Sequence, residues 1–366
     1  MIASCHGLEL SDACLSVSKA ISNKVTNPIF EGIKIVAEEN TLTFSATDTE
    51  LSIEKKIKAE VKLEGEAVVP GKFITEFVKK LTNETIDLEK LPNNQLKLKY
   101  DDSESIISCY NSVDYPSFKK IESDEYFGIS KKDFKSLVFK TINCVALDDS
   151  RPILKGILLE IEKNTINAVS LDGYRLAKVK KNIISSLEKS IVVPGKSLNE
   201  IARLLDDSDE VINIYTDNKS IMVDLGDTKI TSRLLEGDFV NYKQIIAANY
   251  ETVIVVNKSQ FEQALERASL LSKVGQANCV KFEMKENNLC ITSNSELGNL
   301  KENVPVNMNG NELLIAFNAR YFLENLKVNN DEFVKICFNK ATNPCVVLPT
   351  EDDEFLYLIL PVRMIQ

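Results

Sequence analysis

Apolar residues recur along the chain at two spacings, one helical and one alternating. Leu10, Cys14, Val17 and Ile21 follow the helical period, and similar spacing recurs five more times. Pro70 and Pro194 open two of these helices, and Asn318 caps another through its side-chain oxygen. The predicted helices cover residues 11–22, 70–80, 131–145, 194–205, 258–272 and 318–327. The predicted strands cover residues 30–37, 41–46, 51–58, 85–89, 95–100, 104–110, 156–162, 165–170, 175–180, 211–216, 220–225, 228–234, 280–285, 289–293, 313–316, 334–339, 344–349 and 355–361.

The chain contains an internal repeat. VVPGK occurs at residues 68–72 and again 124 residues later, and PIFEGI at residues 28–33 matches PILKGI at the same offset. Asp48 falls on Asp172 at that offset too. Three matches at one offset are not expected by chance, and 366 residues is close to three units of normal domain size. We therefore expect three abutting domains, residues 1–124, 125–247 and 248–366.

Composition restricts the class of protein. Hydrophobic residues make up 44% of the chain, and no apolar run approaches the roughly 20 residues that span a bilayer. No signal peptide opens the sequence, which predicts a cytoplasmic protein. The eight cysteines form no CxxC pair and the only histidine is His6, so we expect buried thiols in a reducing compartment and no metal or other cofactor.

Positive charge is concentrated on the predicted helices. The six windows 11–24, 70–80, 131–140, 194–205, 258–273 and 318–327 hold 16 basic and 7 acidic residues, a net charge of +9. Since the whole chain carries −10, the remainder carries −19. If the helices lie side by side, their outer faces form a basic surface that attracts phosphates without reading sequence. The alternative is a set of ordinary solvated helix faces. On the helix after Pro70, we expect Phe73 and Phe77 on the buried face, opposite Lys72 and Lys79.

Four motifs together resemble the bacterial DNA polymerase III beta subunit, the sliding clamp family. They are LDGYRLA at residues 171–177, SRLLEGDFVNY at 232–242, FNARY at 317–321 and LPVRM at 360–364. The resemblance implies an α+β clamp fold of three similar domains, each with two helices packed against antiparallel sheets. It also implies a head-to-tail dimeric ring around duplex DNA, which tethers by topology and catalyses nothing.

The resemblance further implies a pocket between the second and third domains that binds short peptides of polymerases, the clamp loader and repair proteins. Tyr174, Val240 and Gln244 depart from the family's frequent His, Pro and Arg, and Ile365 and Gln366 extend the usual end, which leaves the peptide preference open. The pocket positions are Leu154, Leu171, Gly173, Tyr174, Arg175, Leu176, Val240, Gln244, Ile245, Asn318, Tyr321, Leu358, Ile359, Leu360, Pro361, Val362, Arg363 and Met364.

Two further surfaces are expected. The family's DNA-contacting positions correspond to Lys24, Lys72, Arg151 and Lys196, and the helix charge pattern adds others. Leu270 and Leu271 match an apolar pair at the ring seam, where they would meet the first domain's edge strand with Ile106. Core packing is the alternative for that pair. The residues added from the helix charges are Lys79, Lys80, Lys131, Lys132, Lys135 and Arg203.

Two other classes of function are alternatives. An enzyme is disfavoured because no Walker A loop, GxSxG elbow, HExxH or Rossmann glycine pattern occurs. Asp148 and Asp149 could ligate Mg²⁺, but consecutive side chains often point apart, and no supporting group of residues accompanies them. A repeat scaffold that binds proteins but not DNA is the remaining alternative.

Overall fold

The computed structural model describes residues 1–22, 27–81, 84–116, 121, 123–272, 279–351 and 353–363. Its helices are α1 (Gly7–Val17), α2 (Gly71–Val78), α3 (Lys131–Thr141), α4 (Gly195–Leu204), α5 (Lys258–Ser272) and α6 (Ala319–Val328). Its strands are β1 (Ile2–His6), β2 (Gly32–Glu38), β3 (Thr41–Thr47), β4 (Leu51–Lys58), β5 (Glu60–Leu63), β6 (Gly65–Pro70), β7 (Thr85–Leu91), β8 (Gln95–Tyr100), β9 (Ser103–Ser108), β10 (Tyr126–Ser130), β11 (Gly156–Glu162), β12 (Thr165–Leu171), β13 (Arg175–Asn182), β14 (Lys189–Pro194), β15 (Val211–Thr216), β16 (Ser220–Asp224), β17 (Thr228–Arg233), β18 (Thr252–Asn257), β19 (Cys279–Lys285), β20 (Asn288–Ser295), β21 (Gly298–Gly310), β22 (Leu313–Asn318), β23 (Phe333–Phe338), β24 (Cys345–Pro349) and β25 (Phe355–Ile359).

The chain divides into two compact units, Met1–Lys131 with Arg203–Leu234, and Lys132–Ala202 with Leu235–Gln366. Among the described residues, the first unit holds a five-stranded sheet, β5-β1-β7-β8-β9, and an eight-stranded sheet, β10-β15-β16-β17-β4-β3-β2-β6. Within the same limits the second unit holds a twelve-stranded sheet, β14-β11-β12-β13-β25-β24-β23-β18-β21-β20-β19-β22. The strand pairs are antiparallel. The domain boundaries at residues 124 and 247 stay a prediction.

The internal repeat is reproduced in three dimensions. Gly32 pairs with Pro70 and Gly156 with Pro194, so β2–β6 and β11–β14 share one register. A Cβ on Gly32 would lie 2.6 Å from Val68, and one on Gly156 would lie 2.5 Å from Val192. Because a side chain has no room at either position, the PxxxGI segment keeps glycine in both copies.

Five of the six helices begin within one residue of the prediction, but α1 ends at Val17 and α3 at Thr141, short of the predicted residues 22 and 145. α5 covers residues 258–272 as predicted, but α1 begins at Gly7 rather than residue 11. His6 caps α1, its Nδ1 accepting a hydrogen bond from the Leu8 amide at 3.3 Å. Asn318 caps α6 as predicted, accepting from the Arg320 amide at 3.0 Å. No described helix is both long and apolar enough to cross a lipid bilayer.

The strands that lead directly into five of the helices were not predicted. β1, β6, β10, β14 and β18 each end one residue before a helix begins. The alternating apolar pattern of each strand is followed immediately by the helical pattern, so the point where one changes to the other was not recognised. β5 and β21 were missed as well, because β5 is only four residues long with two charged ones, and the polar residues of β21 outnumber its apolar ones.

The expected buried face of α2 was partly wrong. Phe73 is 54% exposed, and the buried residues of α2 are Gly71, Ile74, Thr75 and Val78. Phe73 stacks on Phe77 with ring centroids 5.8 Å apart, outside the core. The hydrophobic spacing alone could not separate a core face from an exposed aromatic patch.

Candidate functional site

A tight turn before β13 organises the candidate site. Asp172 Oδ1 accepts hydrogen bonds from the amides of Tyr174 at 2.9 Å and Arg175 at 3.0 Å. Gly173 has φ +90°, a conformation that glycine adopts without a Cβ penalty. The turn projects Tyr174 to the surface, where it is 63% exposed, and sends Arg175 inward, where it is 8% exposed.

The positive charge of the Arg175 side chain is balanced by several neighbouring groups. Its Nε donates to Asp172 Oδ2 at 3.0 Å, and its Nη1 donates to Glu324 and to the Tyr357 hydroxyl, the latter at 3.3 Å. The guanidinium lies 4.5 Å from the ring centroid of Tyr321, a cation–π contact. Burial acts to lower its pKa, but Tyr357 and the bond to Glu324 outweigh burial and hold that pKa above its ordinary value. Arg175 therefore stays charged.

A cavity of about 380 Å³ opens beside this arginine within the second unit. Glu324 also accepts from Arg320 Nε at 2.5 Å, so one carboxylate joins two guanidinium groups at the wall. The cavity thus combines a fixed polar network with apolar surface, the mixture expected of a ligand site. Its lining residues are Ile142, Asn143, Val145, Ala146, Leu147, Asp148, Asp172, Tyr174, Arg175, Arg320, Tyr321 and Glu324.

The end of the described chain is held against the same turn. The Leu360 amide donates to the Tyr174 carbonyl at 2.8 Å, and the Val362 amide donates to the Ala316 carbonyl at 2.8 Å. Leu360 itself is 37% exposed, so apolar surface remains available beside Tyr174. Ile245, a further predicted pocket residue, is 40% exposed.

The structure brings together many of the predicted pocket residues. Leu154, Leu171, Leu176 and Leu358 belong to one buried hydrophobic cluster, with Val240 packed against it. Tyr174, Arg175 and Tyr321 line the cavity. The others lie outside both groups: Gly173 in the turn, Gln244 and Arg363 exposed, Asn318 at the α6 cap, Ile359 buried in β25, Pro361 and Val362 half-buried, and Met364 beyond the described residues.

Sequence reasoning missed the acidic side of the site. Glu324 and Arg320 are four residues apart on α6, a spacing that permits an ion pair, and this was the available signal. Asp172 stood out only as a repeated position. Tyr357 offered no signal, since a tyrosine inside an apolar strand pattern is indistinguishable from a core residue.

The predicted DNA-contacting residues fall into three groups. Lys131 is 14% exposed and lies between Asp206, at 3.0 Å, and Glu210, at 2.5 Å, so we leave it out of the proposed DNA surface. Lys135 is half-buried and Lys24 lies outside the described residues. The exposed members are Lys72, Lys79, Lys80, Lys132, Arg151, Lys196 and Arg203.

Large apolar side chains are exposed on β9, in the first copy of the repeat, and on α5, in the third. Ile106 on β9 is 50% exposed and Leu270 on α5 is 66% exposed, while Leu271 is half-buried. Phe73 contrasts with Ser197, its equivalent at the offset of 124, which is 1% exposed. This position is therefore covered in the second copy of the repeat and open in the first.

The two adjacent acids that could bind Mg²⁺ have other partners. Asp148 accepts hydrogen bonds from the amide and the hydroxyl of Ser150, and the bond from the amide is 2.9 Å long. Asp149 pairs with Lys155 at 2.5 Å. Nothing in this geometry points the two carboxylates at one ion.

The cysteines behave as structural thiols. Six of the eight are buried, and Cys109 and Cys279 are half-buried. Burial raises the pKa of Cys5 to about 12, helped by Glu9 and Asp87, and burial raises that of Cys144 to about 12. These groups stay protonated at neutral pH, so they are poor nucleophiles.

Three family models match the chain in order. The DNA polymerase III beta subunit N-terminal domain matches residues 1–119, its central domain residues 128–241 and its C-terminal domain residues 243–363. Curated relatives agree over nearly the full length. The beta sliding clamp of Halalkalibacterium halodurans is 33% identical over 362 residues, 95% of both chains. That of Bacillus subtilis is 32% identical over 367 residues, 97% of both.

Solved structures share the fold. The crystal structure of the DNA polymerase sliding clamp from Bacillus subtilis has a TM-score of 0.96 and 30% identity, with complete coverage of both chains. The sliding clamp from Pseudomonas aeruginosa bound to griselimycin has a TM-score of 0.93 at 26% identity, again with complete coverage. The predicted α+β fold of three similar domains is confirmed.

Proposed function

The chain belongs to the DNA polymerase III beta subunit family of sliding clamps, and on that premise we propose that it forms a closed ring around duplex DNA. The ring is a head-to-tail homodimer that works in the cytoplasm as a non-catalytic processivity factor and needs no cofactor. The observation that carries this proposal is the pair Lys72 and Lys196, exposed at one position of the repeated turn before α2 and α4.

The DNA contact is weak and independent of sequence. Exposed lysines and arginines on repeated helices meet phosphates, whose binding gains from counterion release and carries no base information. The acidic remainder of the chain repels nucleic acid elsewhere, which confines DNA to the basic surface. Because a closed ring retains DNA by topology, low affinity is compatible with long retention and fast sliding.

The dimer closes where the repeat leaves apolar groups uncovered. Leu270 and Leu271 on α5 supply one side of each seam, and β9 with Ile106 supplies the other. The exposed Phe73, which stacks on Phe77, extends that second side. Scattered exposed apolar residues are ordinary, but several large ones exposed together mark a surface that becomes covered.

The candidate site binds short peptides of the polymerase III catalytic subunit, the clamp loader, and other polymerases and repair proteins. The leucine-rich cluster and Leu360 accept apolar anchor residues, and the fixed Arg175 network orients the peptide's polar groups. Tyr174 stands at the entrance with a bulky, uncharged ring, and so favours aromatic or aliphatic anchors over acidic ones.

The test is retention on circular DNA combined with solution mass. A clamp is a dimer of about twice 41.0 kDa that, once loaded, stays on nicked circles and leaves after the circle is cut. Equally fast release from intact and cut circles, or a monomer at micromolar concentration, overturns the ring. A repeat scaffold without DNA function would give no retention on either substrate.

The pocket is tested by truncation. Deletion of residues 360–366 removes Leu360 and Val362 with their hydrogen bonds to Tyr174 and Ala316. We expect the truncated protein to bind no peptide while the dimer persists. Unchanged binding of a polymerase-derived peptide by the truncated dimer refutes the assignment.

A further inference from the structure

One segment that carries three of the predicted pocket residues has no strand to hold it. Residues 236–250, here called the strap, include Val240, Gln244 and Ile245 and contain a single 3₁₀ turn at residues 242–244. In the part of the chain that the structure describes, the strap's backbone hydrogen bonds stay within it. The Tyr242 amide donates to the Val240 carbonyl at 2.7 Å, and the Ile245 amide donates to the Tyr242 carbonyl at 3.0 Å. The position of the strap therefore depends on its side chains.

The strap has an inner and an outer side. Val240 and Ile246 pack against the leucine-rich cluster, and Tyr242 lies within that cluster, only 3% exposed. Gln244 and Ile245, which lie between Tyr242 and Ile246 in the sequence, are exposed. Because no strand pairing fixes the strap, the burial of Tyr242 decides which of the neighbouring side chains face outward.

One carboxylate holds the buried tyrosine. The Tyr242 hydroxyl donates to Glu160 Oε2 at 2.5 Å, and Lys243 Nζ lies 3.2 Å from Glu160 Oε1. The same ammonium group lies 5.8 Å from the centroid of the Tyr242 ring. Burial and, after it, the bond to Glu160 raise the pKa of Tyr242, so the hydroxyl keeps its proton and remains a donor. Two adjacent strap residues thus bind the two oxygens of a single side chain.

The carboxylate that holds the strap belongs to a rigid element. Glu160 lies in β11, where it faces Asn167 of β12 on one side and Ser190 of β14 on the other. Its side chain is only 15% exposed. Glu162, two residues further along β11, is exposed instead. A shielded carboxylate on a paired strand is a fixed point to which a loop can be attached.

We propose that Glu160 is a positioning residue of the peptide site: through Tyr242 and Lys243 it seats the strap with the predicted pocket residues toward the peptide. The inference rests on the proposed peptide-binding function and adds to it a residue that acts through the strap rather than by touching the peptide. A strap that is seated before the peptide arrives removes an ordering cost from binding. The apparent affinity therefore scales with the fraction of molecules whose strap is seated.

Substitutions of the glutamate test this role. Glu160→Ala leaves the buried Tyr242 hydroxyl without a partner, which favours expulsion of the ring from the cluster. For a fluorescently labelled peptide of the polymerase III catalytic subunit, we expect a dissociation constant about tenfold higher, as for a strap seated in about one molecule in ten. Glu160→Gln keeps an oxygen that accepts the bond and should bind within about twofold of the parent protein. Glu162→Ala, on the same strand, is the matched control and should bind like the parent protein.

A double variant tests whether the glutamate acts through the tyrosine. Tyr242→Phe removes the hydroxyl and keeps the ring, so it should weaken peptide binding less than Glu160→Ala does. Adding Tyr242→Phe to Glu160→Ala should recover most of the lost affinity, because an apolar ring costs less to bury than a hydroxyl without a partner. A double variant that binds no better than Glu160→Ala would overturn the proposed route through Tyr242.

Hydrogen exchange of the full-length protein reports the strap directly. The Ile245 amide, which donates to the Tyr242 carbonyl, should exchange faster in Glu160→Ala than in the parent protein. The amides of β11 should exchange at the rate of the parent protein, because the sheet does not depend on the strap. Equally faster exchange in the strap and in β11 would indicate a general loss of stability and would contradict the positioning role.

The outcomes separate the positioning role from the peptide site. If the parent protein binds the peptide and Glu160→Ala binds it equally tightly, the role of Glu160 is refuted and the peptide site stands. If the parent protein binds no peptide, the proposed peptide site itself is refuted.

Discussion

The first and second copies of the repeat build the same turn and use it differently. Asp48 accepts hydrogen bonds from the amides of Glu50 and Leu51, at 3.1 and 2.8 Å. Asp172 accepts from Tyr174 and Arg175, the residues at the same offsets. Leu51 is 1% exposed and belongs to the core, whereas Arg175 anchors a charged network beside a cavity.

The comparison separates common from specialised features. Glycines that admit a close strand, and the lysine that follows each Pro-Gly, occur in both copies because both need the same packing and, in our proposal, the same DNA. The arginine and the exposed tyrosine occur in one copy because, in our proposal, one peptide site serves each chain. A repeated backbone can thus hold a single site through a few side chains.

The largest expected effect comes from making the second copy resemble the first. Arg175→Leu leaves Asp172 without its cation and Glu324 with Arg320 alone, and breaking a buried ion pair typically costs about 3–5 kcal/mol. We expect a corresponding fall in the urea midpoint. Adding Asp172→Asn and Glu324→Gln should recover much of the stability, since the stranded charges are removed. An unchanged midpoint for the single variant would mean that the network contributes only to binding.

The strand packing that the two copies share predicts a smaller loss of stability, similar in size for equivalent substitutions in each copy. Gly32→Ala and Gly156→Ala each force a Cβ against a valine and should cost about 1–3 kcal/mol. Val68→Ala should relieve the first variant, and Val192→Ala the second. Thermal unfolding measures both. Very different destabilisation in the two copies would break the equivalence of the repeat.

The shared lysines predict an effect on DNA alone. Lys72→Glu with Lys196→Glu should weaken DNA association and flatten its salt dependence by about 0.9 in log–log slope for each phosphate that is no longer neutralised. Lys62→Glu with Lys163→Glu, which changes the charge equally at exposed positions off the helices, is the control. The same slope in both double variants would remove the proposed DNA surface.

The smallest expected effect is on the stability of the fold at acid pH. At the start of α3, Lys131 replaces the Gly7 of α1 and pairs with Asp206. Ser208, whose amide donates to Asp206 Oδ1 at 2.9 Å, and then Lys131 lower the pKa of Asp206 from 3.8 to about 2. Because the folded pKa is depressed, this stabilisation is present above pH ~4 and disappears as pH falls towards 2.

Asp206→Asn should therefore reduce the pH dependence of unfolding between pH 4 and 2 and leave the pH dependence near pH 7 unchanged. Asp12→Asn, at an exposed acid paired with Lys55, is the comparison variant. Identical acid titrations of Asp206→Asn and the parent protein would contradict the ion pair.

The sequence by itself determined the repeat, five of the helix starts to within a residue, most of the strands and the family. These follow from local rules: helical period, alternation, Pro and Gly positions, and four motifs in order. The partly wrong α2 face shows the limit, because Phe73 obeys the period and is nevertheless exposed.

Only the tertiary structure decided where the buried charges meet. Asp172, Arg175 and Glu324 come together across 149 residues of chain, and Lys131 is neutralised by two acids in the loop that follows α4. Such pairings depend on which strands lie side by side, a long-range choice that no local pattern encodes. The same choice determines which strand edges remain open.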